Sequence, residues 1–103
     1  MTVDELEAAA RAGRALEGDQ PVLIRALWHD AAGDWSQAHA LAQQVETADG
    51  AWVHAYLHRK EGDLANAQYW YRRAGRSPAT GDLWAEWREI AASLLAAHPA
   101  PRE

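Results

Sequence analysis

Apolar residues recur along the chain at three- and four-residue spacing, and no stretch alternates apolar and polar positions over the length of a strand. Leu6, Ala9, Ala10, Gly13 and Leu16 predict a first helix over Val3–Leu16. Thr2 stands before it as N-cap with Glu5 three residues on, a capping box. Its apolar face is narrow and built of small residues, so this helix depends on docking against a neighbour. Gly18 ends it, and Asp19 and Pro21 restart the chain, since Pro suits a first helical turn. The second helix is expected over Gln20–Ala32. Its Val22, Leu23, Ala26, Leu27, Trp28 and Ala31 form more than one stripe, which predicts contacts on two sides. Gly33 stops it and Asp34 caps a third helix, Trp35–Val45, with Ala38, Leu41, Ala42 and Val45 inward. Thr47–Gly50 reads as a short turn. A fourth helix follows over Ala51–Glu61, with Trp52, Val53, Tyr56 and Leu57 apolar. Gly62 and Asp63 lead into a fifth, Leu64–Ala74, closed by Gly75. Ser77–Gly81 is the most linker-like stretch. Asp82 caps a last helix over Leu83–Ala97, where Leu83, Trp87, Ile90 and Leu94 share one line, and Pro99 and Pro101 end the ordered chain.

The middle of this pattern is doubled. Placing Gly33 on Gly62 sets Ala26–Ala40 against Ala55–Tyr69, at an offset of 62 − 33 = 29 residues. His29 then falls on His58, Asp34 on Asp63, Trp35 on Leu64 and Ala38 on Ala67. Repetition at such a period is the mark of a helical solenoid. The turns Gly33-Asp34-Trp35-Ser36-Gln37-Ala38 and Gly62-Asp63-Leu64-Ala65-Asn66-Ala67 resemble those of tetratricopeptide repeats, and related Sel1-type hairpins share the likeness. Gly takes the positive φ that a helix end favours. Asp accepts from the free amides of the next helix. The large residue plugs the pair, and the small Ala lets the helices approach. Ala55, Ala67, Tyr71 and Ala74 fit the family's packing positions, and Pro78 lies near its usual closing Pro. The likeness covers about Gln20–Pro78, at a period shorter than the family's usual ~34 residues. The chain also resembles small tetratricopeptide-like proteins of bacteria. The implied architecture is one all-α domain of about six helices over 1–103. Antiparallel hairpins fall at about 20–47 and 49–76, with capping helices at 3–16 and 82–97.

In that family the first helix of each hairpin lines a concave groove that holds a peptide. The resemblance implies that Leu23, Leu27 and Asp30, with Trp52, Tyr56, Arg59 and Lys60, face such a groove. Leu23 and Trp52 stand where the carboxylate-clamp members carry polar ligands, so that clamp does not carry over. The implied function is a non-catalytic adaptor or scaffold for a peptide or protein partner. Self-association through the same groove is a further expectation. Trp52 and Tyr56 are equally suited to packing on the neighbouring hairpin, because a small domain must bury most of its large rings. Asp30 and Arg59 are placed to pair across adjacent helices.

Composition narrows the alternatives. The 103 residues suffice for one domain, and 49% are apolar, which argues against disorder. Six Trp and three Tyr, with no Phe, put unusual weight on large rings. With no Cys there are no disulfides, thiolate ligands or cysteine nucleophiles, which fits a cytoplasmic setting. The N-terminus lacks the features of a secretory signal, and no run is apolar enough for a membrane span. A net charge of −5 argues against nucleic acid as a partner. The basic and aromatic stretch Trp70, Arg72, Arg73, Arg76 instead suits an acidic patch on a protein, and Arg in a last helical turn also complements the helix dipole.

No cofactor motif is present: phosphate loops and GxGxxG are both missing. One chemical candidate remains. His54, His58 and Glu61 stand at i, i+4 and i+7 on one helix face, a spacing at which two His chelate zinc and a carboxylate adds a third ligand. Ala55 occupies the position where a zincin carries its general base. His29 would join His58 if the repeats stacked in register. The alternative function is therefore a His-based metal-binding protein or metal-dependent enzyme. In the blander alternative these His residues pack or hydrogen-bond locally at equivalent helix ends.

Overall fold

The computed structural model describes residues 1–97, and among them it contains six α-helices and no strand. They are α1 (Val3–Arg11), α2 (Val22–Ala31), α3 (Trp35–Gln43), α4 (Ala48–Glu61), α5 (Leu64–Ala74) and α6 (Leu83–Ala97). The expectation about Pro99 and Pro101 lies outside the described residues.

Helix ends follow side-chain chemistry. The capping box at Thr2 and Glu5 forms in both directions. α1 is shorter than its apolar pattern predicted. Gly13 adopts φ +67° and its N–H bonds the Ala10 carbonyl, while the Arg14 N–H bonds that of Ala9. This paired closure ends the helix five residues before Leu16 would have. The two repeated turns close the same way: Asp34 N–H reaches the His29 carbonyl and Asp63 N–H that of His58. Asp34 then accepts from Gln37 N–H, and Asp63 from Asn66 N–H. Two other expectations need correction. Pro21 stands just before α2 as its N-cap residue, with no side-chain cap. Thr47–Gly50 is not a turn but the first turn of α4, because the Thr47 hydroxyl accepts from Gly50 N–H.

α2 pairs closely with α3, and α4 with α5, across the repeated turns. α4 is the hub and also touches α2, α3 and α6. α6 lies over α1, α2 and α4 and drives Trp87, Ile90 and Leu94 into the core against Leu6, Ile24 and Leu27. The buried Trp87 indole N–H donates to the Leu27 carbonyl at 3.1 Å. No described helix is long and apolar enough to cross a membrane.

Candidate functional site

α4 is buried on two opposite sides, and each side gathers a different chemistry. At 3.6 residues per turn, Trp52, Tyr56 and Arg59 fall on one side, and His54 and His58 on the other.

The first side is the expected groove, and α6 fills it. Leu23, Leu27, Asp30, Trp52 and Tyr56 are all buried, Tyr56 at 1% exposure. Glu86 of α6, itself buried, accepts from the Trp52 indole at 3.2 Å, the Tyr71 hydroxyl at 2.5 Å and Arg59 at 3.0 Å. Arg59 also reaches the Gly81 carbonyl. The Asp30–Arg59 pair expected from sequence does not form. Asp30 accepts instead from Tyr56 at 3.1 Å and Lys60 at 2.9 Å, because Glu86 claims the guanidinium. Burial, reinforced by these carboxylates, pushes the Tyr56 and Tyr71 hydroxyls up from their ordinary range, so both act as donors. Every polar group here is matched by another within the chain, as a closed interior requires.

The second side is different. His39 of α3 meets His54 and His58 of α4, and the three rings offer nitrogens that all lie within 4.8 Å of one another. His39 Nε2 and His54 Nε2 are 3.0 Å apart. His39 stands edge-on to both other rings. Trp70 of α5 stacks on His54 with centroids 3.9 Å apart, and Trp35 stacks on His39 at 4.9 Å. Trp35 is fixed in turn by its indole N–H, which donates to the Leu57 carbonyl at 2.8 Å.

The hydrogen bonds set the tautomers. The Glu61 carboxylate lies 2.6 Å from His58 Nδ1, so that nitrogen carries the proton. His58 Nε2 then accepts from the Asn66 amide at 3.3 Å. The Gln43 amide donates to His39 Nδ1 at 3.1 Å, which puts the His39 proton on Nε2. His39 therefore donates to His54 Nε2, and the His54 proton sits on Nδ1. Burial lowers the pKa of His54 to about 4, with His39 and His58 adding to the effect. Burial likewise lowers that of His39, helped by His58 and opposed by Glu61. Neutral imidazoles are the form that binds metal.

Of the three residues expected to ligate, His54 and His58 are in the cluster, and Glu61 holds His58 from behind. His29 is not among them; it packs edge-on to Trp28. The residue that sequence reasoning missed is His39, which lies on the second helix of its pair and has Gln68 as its repeat counterpart. A usable signal was its i, i+4 spacing from Trp35 beside the small Ala38 and Ala42, which mark the face that meets a neighbour.

The basic and aromatic stretch divides. Trp70 belongs to the cluster, and Arg76 covers Trp52 at 3.3 Å from the ring centre. Arg72 and Arg73 are exposed, with Arg73 donating to the Tyr69 hydroxyl at 3.0 Å. Comparison of the chain with protein-family models, curated proteins and solved structures gave no match.

Proposed function

We propose that this chain binds a divalent transition metal, with zinc the best fit, through His39, His54 and His58. The scaffold is read as a tetratricopeptide-like array whose two hairpins are α2–α3 and α4–α5. The observation that carries the reading is the convergence of three His rings from both hairpins, one of them backed by a carboxylate. On a tetrahedral ion with Zn–N bonds of 2.0–2.1 Å, ligand nitrogens sit ~3.3 Å apart. The His39 Nε2–His54 Nε2 pair is already that close. Binding moves the His39 proton to Nδ1, where the Gln43 amide turns its oxygen to accept it. His58, within 4.8 Å of both, gives up Asn66 to join as the third ligand. Glu61 supports His58 as an outer carboxylate supports many metal-bound imidazoles. Three protein ligands leave one position open, the arrangement of catalytic zinc sites.

Calorimetric titration of the full chain with zinc is expected to give one ion per chain. His39→Ala removes it with helicity kept, and Glu61→Gln weakens it by about 10- to 100-fold. No binding, or equal binding by His39→Ala, would leave the cluster as a hydrogen-bonded packing element and end the metal reading.

A second reading retains a protein-binding role but moves it off the groove. Leu64, at the position expected to plug its pair, is 61% exposed, and Tyr69 is 43% exposed on the same helix as Arg72 and Arg73. An apolar and basic face of this kind suits an acidic partner. A partner retained from lysate of the chain's own source by wild type should be lost on Leu64→Asp/Arg72→Glu; retention unchanged by the double variant removes this reading.

A further inference from the structure

Next to the His cluster, a cavity of about 280 Å³ lies between the α3–α4 turn and α5. Its lining includes Thr47 and Gly50 at the start of α4, Glu46, His54, Trp70 and Arg73. Three features of that lining attract negative charge.

The first is His54. Its Nε2 accepts from His39, so its Nδ1 carries a proton, and this N–H has no partner among the described residues. The ring is only 6% exposed. No described side-chain nitrogen is both fully buried and unpartnered, so Nδ1 keeps some access to solvent, and His54 lines the cavity. A metal on Nε2 would leave the same proton on Nδ1. The second is the α4 N-terminus. Gly50 N–H is taken by Thr47, and the partial positive charge of about one half that the helix dipole places at this end is shared with Asp49 of the same turn. The third is Arg73. It reaches over Trp70 at 5.2 Å from the ring centre and keeps donors free beyond its bond to Tyr69.

We infer that this cavity binds a small organic carboxylate. The His54 Nδ1–H and the Arg73 guanidinium donate to its oxygens, and the first turn of α4 lies beneath. Glu46 sets the charge of the ligand. Arg73 and Glu46 cancel formally, and Asp49 in the first turn of α4 offsets the helix end, which leaves the neutral N–H donor of His54. That balance suits a single negative charge and opposes a doubly charged phosphate. Trp70 gives the ligand's carbon atoms an apolar wall, and Ala42, Val45 and Ala51 give another.

The test uses the full chain stripped of metal on a chelating resin and labelled with nitrogen-15. Acetate and inorganic phosphate are titrated in separately, and the His54 Nδ1 resonance is followed. Acetate is expected to shift it saturably, phosphate at least tenfold less tightly. Arg73→Gln, on an exposed position of α5, should weaken acetate at least tenfold. Arg72→Gln should leave it unchanged. A shift that does not saturate, equal affinity in Arg73→Gln, or phosphate binding as tightly as acetate would overturn the inference. Because no metal is present, loss of acetate binding and loss of zinc binding are separate results. Zinc retained with no acetate site would sink this proposal alone, and acetate bound without any zinc site would sink only the metal reading.

Discussion

At the scale of single residues, Glu86 and His54 show two ways to hold a polar group inside a small core. Glu86 is satisfied by three donors at once. One of them, the Tyr71 hydroxyl, has a consequence in alkali. Burial comes first in raising its pKa, followed by its bond to Glu86 and the charge of Glu86, with Arg59 opposing. An unfolded tyrosine ionises near ~10. The folded group keeps its proton above that point, so its contribution is complete below about pH 10 and is lost as pH rises further. The urea midpoint should hold from pH 7 to 9 and then fall, and Tyr71→Phe should fall less steeply from a lower start. Tyr56, also raised, keeps part of the slope in the variant. Equal slopes in the two proteins would show that Tyr71 contributes nothing to it. Residue-level pairing was the least legible part of the sequence. The sequence places Asp30 and Arg59 to pair, but Glu86 of α6 takes Arg59 and Asp30 takes the neighbouring Lys60, a choice that only the placement of α6 decides.

At the scale of elements, local rules held where a cap and a turn agreed. α5 has the bounds that its Asp cap, its apolar line and the Gly75 closure predicted, and α6 starts where its Asp82 cap placed it. α2 begins two residues later than expected and α3 ends two residues earlier, while α1 and α4 depart further, and in both of these the deciding chemistry lies in a single residue, Gly13 or Thr47, that the apolar period does not weigh. α4 also shows how tertiary contact overrides propensity. Replacing Gly50 by Ala would favour an isolated helix by about 1 kcal/mol. Here a Cβ at Gly50 would stand 2.0 Å from the Val45 carbonyl oxygen, which is backbone and cannot swing aside. Gly50→Ala is therefore expected to destabilise by about 1–3 kcal/mol, as overpacking does, measured by urea unfolding. A neutral or stabilised variant would mean that the α3–α4 turn yields easily. The His centre was half legible at this scale: the i, i+4 pair on α4 was visible, whereas His39 comes from another helix, and no spacing along the chain relates it to that pair.

At the scale of the whole molecule, the doubled turn announced a helical array, and the described chain is all-helical. What the repeat did not announce is the position of α6. The groove expected along α2 and α4 is occupied by a helix of the same chain, with Trp87 inserted and Glu86 pinned beneath it. Read as one repeat after another, the sequence treats the last helix as an end cap. Its row of Leu83, Trp87, Ile90 and Leu94 is equally an apolar face suited to a groove, and the pattern alone does not choose between them.

That closing helix also imposes an order on self-assembly. The contacts within α2–α3 and α4–α5 join near neighbours in the chain, and such contacts form fast. Those of α6 with α1 join opposite ends, including the Arg88 to Asp4 and Glu7 ion pairs. The two helix pairs can therefore gather first, leaving Leu27, Trp52 and Tyr56 uncovered until α6 arrives. During that interval the nascent molecule carries a sticky seam, and the speed with which its own tail seals it governs the competition between refolding and clumping.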